Sequence, residues 1–334
     1  MNTKEELVAV LNGEQRELPP PAVFTQTATV SQMDVAGCGW PEANFDTAQM
    51  VRLARQLHRQ CGFAVARVPF CLTVEAERLG CTVDHGARNR QPMVRATPYC
   101  SGEIPEEMPV LLTPDEYIAG GRLAVVRAAA ERLRREEPDV MVVASMLDPL
   151  ALSCHLLGTE NFLMGLMLTP DLAAAWPAAV EPLQCAYAKA LAEVADNVVM
   201  VTEGESDILP PDQFDAYVGA HDPQVIRAMK GAFSTVHCCG DTSEVRKKLA
   251  ELGETCLSIE TNTDPEGILA QLGGKVRLAG GIMPVDILLQ GTPDAIRQAA
   301  RRYAVLGYPL ITPECGVPPQ TSDANLQALA NYRG

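Results

Sequence analysis

Residues 233–281 read FSTVHCCGDTSEVRKKLAELGETCLSIETNTDPEGILAQLGGKVRLAGG. Three short apolar runs, 233–239, 255–260 and 275–281, alternate here with stretches of helical period. Each run is nearly continuous in hydrophobicity instead of alternating, the pattern of parallel strands buried on both faces. The same grammar extends in both directions. Further strand-length runs fall at 21–26, 62–68, 139–145, 197–202 and 308–313, which makes eight. Helical patterns sit between them. Thr113-Pro114-Asp115 and Thr292-Pro293-Asp294 each supply a capping hydroxyl, a proline in the first turn and an acid beside it. Residues 171–195 and 294–306 are Ala-rich and amphipathic.

Eight βα units joined by right-handed crossovers close into a barrel. The expectation is therefore an α/β chain forming a (β/α)8 TIM barrel, a single domain over residues 1–334. A doubly wound open sheet is the competing architecture. A short helix over 4–12 stops at Gly13, and Pro19-Pro20-Pro21 forces an extended segment after it. Residues 70–100 are polar and turn-rich around 84–91, and read as an insertion over one mouth of the barrel.

Composition narrows the function. The net charge of −15 excludes a nucleic-acid binder, which needs clustered Lys and Arg, and an anionic membrane surface. No apolar stretch reaches the length of a membrane span, and the N-terminus has no secretory pattern. Eleven cysteines, an odd number, then read as reduced cytoplasmic thiols.

The chemistry gathers at the ends of the later strands. Residues two apart on a strand share a face, so His237 and Cys239 point one way and Cys238 the other. The eighth run ends in Pro313-Glu314-Cys315-Gly316 and the sixth in Glu260. At the C-terminal ends of barrel strands these side chains meet at one mouth. An imidazole, two thiolates and a carboxylate suit tetrahedral zinc. No C-x-x-C is present, which excludes a zinc finger, and a site that assembles only in the folded barrel is of the catalytic kind.

Other signals are weaker. Arg67 ends the second run and is a candidate for binding an anionic group; its alternative is a salt bridge at the rim. Glu203, Glu205 and Asp207 read as a solvated acidic loop. Gly280-Gly281 suits either a phosphate or corrin edge, or simple close packing. His58 and His155 read as ordinary helix residues.

In several segments the chain resembles the uroporphyrinogen decarboxylase superfamily, and within it the methylcobamide:coenzyme M methyltransferases. They are VHCCG (236–240), LSIE (257–260), LLQGTP (288–293), ECGVP (314–318) and TSDANLQA (321–328). In the first half they are FTQTATV (24–30), WPEA (40–43), RVPFCLTV (67–74) and QPMVRATPY (91–99). The resemblance implies zinc held by His237, Cys239 and Cys315, with Glu260 in a fourth position until a thiol arrives. It implies that Glu260 is catalytic, that a corrinoid carrier protein docks as partner, and that methylcobalamin or a related corrinoid is the methyl donor. Arg67, Gln26, Tyr99 and Gly280 are the substrate-binding candidates. The decarboxylase branch carries an Arg-rich loop after its first strand; here Thr25-Gln26-Thr27-Ala28-Thr29 stands in that place. Cys238, where the family has an apolar residue, is a further departure.

The expected reaction is zinc-dependent methyl transfer from a corrinoid to a thiol such as coenzyme M. Coordination turns a thiol of pKa near 8.5 into its nucleophilic thiolate. Three readings compete: a tetrapyrrole-type decarboxylase, a binding protein that has lost turnover, and a methyltransferase with another acceptor, such as another thiol or a folate.

Overall fold

The computed structural model describes residues 2–334. Among the described residues nine strands are present: β1 (Val65–Val68), β2 (Thr82–Asp84), β3 (Met93–Ala96), β4 (Met141–Leu147), β5 (Asn197–Thr202), β6 (Phe233–Cys238), β7 (Cys256–Ile259), β8 (Arg277–Ile282) and β9 (Leu310–Pro313). Seven of them form one parallel sheet in the order β1-β4-β5-β6-β7-β8-β9. The sheet curls into a TIM barrel, with each strand nearly continuous in burial as the apolar runs require. The expected barrel is confirmed, and the open doubly wound sheet is not what forms.

The first position corrects the expectation. Residues 21–26 make no strand, only an isolated parallel bridge between Pro21 and Ile311. The Ala22 N–H donates to the Ile311 carbonyl at 3.0 Å, and the Ile311 N–H to that of Pro20 at 3.3 Å. The cause is local: Pro19, Pro20 and Pro21 have no N–H to extend a ladder. On the other flank a side chain takes the ladder's place. Arg67 donates from Nε to the Phe24 carbonyl at 3.3 Å and from Nη2 to Ser145 Oγ at 2.5 Å, and Nη1 reaches the Pro69 carbonyl.

Capping signals work as read. Thr113 caps Pro114–Ala119, with Glu116 completing the reciprocal box, and Thr292 caps Pro293–Leu306. The N-terminal helix is Lys4–Leu11, and the long Ala-rich one is Pro170–Ala192. The 70–100 insertion is a short helix, Val74–Arg78, followed by the antiparallel pair β2 and β3. Asp84 ties this hairpin together by accepting from both Arg90 and Arg95. Among the described residues, no helix is long and apolar enough to cross a membrane.

Candidate metal centre

Parallel register builds the site. His237 on β6 pairs with Ser258 on β7 and with Val201 on β5, and laterally paired residues face the same way. The Ser258 hydroxyl therefore meets His237 Nδ1 at 3.0 Å. With Nδ1 engaged, Nε2 is the nitrogen left to the site, and it lies 3.1 Å from Cys239 Sγ. Cys239 stands one residue beyond β6. Its sulfur is 2.8 Å from that of Cys315, which follows β9.

The ligand atoms of His237, Cys239 and Cys315 all lie within 4.8 Å of one another. Two sulfurs this close do not carry two negative charges unless a proton or a cation stands between them. Cys239 and Cys315 therefore titrate as a pair. The Cys239 thiol, aided by His237, holds Cys315 well below the ordinary thiol range. The same contact, reinforced by burial, pushes Cys239 far up. One nitrogen and two sulfurs at the strand ends are a donor set that suits zinc, and these residues fit that ion.

Two supports for Cys315 were not singled out in the sequence. The Thr25 hydroxyl donates to the Cys315 carbonyl at 2.7 Å. Glu314, fully buried, accepts from the Thr261 N–H at 2.8 Å and from Asn262 Nδ2 at 2.8 Å, which ties the end of β9 to the loop after β7. Both residues belong to quoted segments, but only the folded chain shows whom they touch.

The remaining candidates fall in different places. Glu260 follows β7 and accepts from the Gly240 N–H at 3.1 Å, while the three-residue cluster is complete without it. Gln26 lies against Gly316, and its carbonyl accepts from the Val317 N–H at 2.7 Å. Gly280 faces Thr261 so closely that a Cβ would come within 3.0 Å of the hydroxyl. Arg67 is fully buried, with its guanidinium on the three internal partners named above. Tyr99 packs edge-on against Trp176 and donates to the Leu79 carbonyl, on the insertion side.

Cys238 is buried and faces away from the cluster, as alternation requires; its sulfur reaches Glu205 Oε2 at 3.6 Å. The 203–207 loop is less solvated than its composition suggests. Burial, then Glu205, pushes Glu203 up to about 7, and burial also raises Glu205. His58 donates from Nδ1 to the nearby Phe63 carbonyl at 2.7 Å.

The model of the family described as uroporphyrinogen decarboxylase (URO-D) matches residues 2–333. The chain belongs to that family.

Within the family the similarity is to methyltransferases. A protein of Methanosarcina barkeri named methylcobamide:CoM methyltransferase MtaA is 29% identical over 99% of this chain and 97% of its own length. A methylcobamide:CoM methyltransferase MtbA of Methanosarcina acetivorans is also 29% identical, over 99% of this chain and 98% of its own. A solved methyltransferase from Methanosarcina mazei superposes with a TM-score of 0.93 at 29% identity, covering 100% of this chain and 98% of that one.

Proposed function

We propose that this family member is a zinc-dependent methyltransferase that moves a methyl group from a methylated corrinoid to a thiol. The observation that carries the reading is the convergence of His237, Cys239 and Cys315 within 4.8 Å at the C-terminal strand ends. In this reading the chain acts as one domain, and a corrinoid carrier protein presents the donor over the mouth. Coenzyme M, the acceptor in the relatives' names, is the starting point for identifying the thiol.

Bound zinc would supply Lewis acidity that lowers the acceptor thiol's pKa, so that sulfur is a nucleophile at neutral pH. His237, Cys239 and Cys315 would hold it, with Glu260 as the fourth candidate. Ser258 fixes the His237 ring through Nδ1 and leaves Nε2 as the donor. The cysteine pair brings two negative charges, which balance a divalent cation and leave the acceptor sulfur electron-rich. Thr25 and Glu314 hold Cys315 in place.

The thiol loses its proton to solvent and its sulfur forms a bond to the methyl carbon. The carbon–cobalt bond breaks with its electron pair left on cobalt, giving Co(I) and a thioether. Alignment of sulfur, carbon and cobalt is the main contribution asked of the barrel mouth.

The test is metal analysis of purified protein beside an assay with free methylcobalamin and a thiol. About one zinc per chain, with thiol-dependent loss of the methyl–cobalt absorbance, is the expected result. Metal-free protein that turns over normally, or zinc-loaded protein inert with every thiol offered, overturns the reading.

A further inference from the structure

Beside the metal centre lies a cavity of about 300 Å³ lined by Asp207, Gly240, Asp241, Thr242, Ser243, Arg246, Glu260, Thr263 and Ile268. Its walls come from the loops after β5, β6 and β7 and from the helices Arg246–Leu249 and Pro265–Leu272. Gly240 directly follows the ligand candidate Cys239, and Glu260 accepts from the Gly240 N–H. Gly240 and Glu260 thus set the cavity next to Cys239.

The lining has a charge character. Asp207, Asp241 and Glu260 stand against Arg246 alone, whose Nε is hydrogen-bonded to Gln271 Oε1 at 2.5 Å. The other arginine at a strand end near the mouth, Arg67, is buried on internal partners. An anionic tail in this cavity would face three carboxylates with one guanidinium to offset them. Hydroxyls on Thr242, Ser243 and Thr263 can donate to or accept from either tail, so the acceptor-only carboxylates set the preference for a donor-bearing one.

We infer that this cavity reads the tail of the acceptor thiol, and that it selects a neutral or cationic hydrogen-bond-donating tail over an anionic one. The inference rests on the methyl-to-thiol reading above and narrows its acceptor. It departs from a sulfonate acceptor of the coenzyme M kind.

Three thiols that differ only in the group on the second carbon test it: 2-aminoethanethiol, 2-mercaptoethanol and 2-mercaptoethanesulfonate. With free methylcobalamin and zinc-loaded protein, kcat/KM for the amine should exceed that for the sulfonate by about tenfold, with the alcohol between, the difference lying mainly in KM. Asp207→Asn combined with Asp241→Asn should bring the amine-to-sulfonate ratio to within about threefold of one. Equal or better use of the sulfonate by the unaltered protein overturns the inference and leaves the methyl-transfer reading standing. A ratio unmoved by the double substitution overturns the assignment to this cavity. No turnover with any of the three sinks the methyl-to-thiol reading, and this inference with it.

Discussion

The hydroxyl of Ser258 lies 3.0 Å from Nδ1 of His237, across the register that joins β6 to β7. One serine on a neighbouring strand thus decides which face of the imidazole serves the cluster. Ser258→Ala should lower zinc affinity by roughly 10- to 100-fold, the usual cost of removing such an orienting partner. Competition with a chromophoric chelator measures it, and unchanged affinity would show that packing alone sets the ring.

Cys239→Ala and Cys315→Ala should each lose zinc and methyl transfer together while the fold survives. Metal content read beside circular dichroism separates the two effects. Full activity in either variant would remove the metal centre from the mechanism.

Glu260→Gln keeps an oxygen for the Gly240 N–H and should cost less than about tenfold in kcat. A general base in that position would cost about 10²- to 10⁴-fold. The size of the loss therefore distinguishes an exchangeable ligand from a proton acceptor.

Several fold features around these residues were legible before any coordinates. Capping at Thr113 and Thr292, the run lengths of β4 to β8, and the meeting of His237, Cys239 and Cys315 all follow from period and position. Residues 21–26 misled because an apolar run of strand length says nothing about donors, and Pro19, Pro20 and Pro21 at its start supply none. Glu314 and Thr25 stayed hidden for a different reason. Their roles depend on partners 53 and 290 residues away, and no local pattern encodes such a contact. The buried character of Glu203 is similar, since burial is a property of the assembled mouth.

Stability should fall as pH rises from about 4 to about 7. Burial pushes Glu75 up to about 7, and burial likewise holds Asp148 at about 7. Both lie above their unfolded values, so their stabilising effect is complete below about pH 4 and is lost as pH climbs to about 7. Inside that window each group lowers the unfolding free energy by on the order of 1 kcal/mol per pH unit. Glu75→Gln keeps an acceptor for the Leu147 N–H, which donates to Glu75 Oε1 at 2.7 Å. Denaturant titrations of this variant between pH 5 and 8 should show a shallower slope than the parent; an identical slope would exclude Glu75 from the effect.

Gly281 has φ of +123°, and a Cβ there would meet the Tyr303 ring at 2.7 Å. Gly281→Ala should destabilise by about 2 to 4 kcal/mol, combining backbone strain with overpacking. Chemical denaturation checks this, and a loss below about 1 kcal/mol would mean that the ring moves aside freely.

Arg67 has a consequence for where the molecule yields first. Most neighbouring barrel strands are joined by backbone ladders that open only with the core. Residues 20–24 are instead held to β1 by one guanidinium and to β9 by a single bridge. Loosening of the wall there breaks the bonds of one buried side chain instead of a ladder. The barrel has a sparsely bonded seam in its circumference, running beside Thr25 and so toward Cys315. Amide exchange at Ala22 and Phe24 should accordingly outpace exchange within β5 and β6.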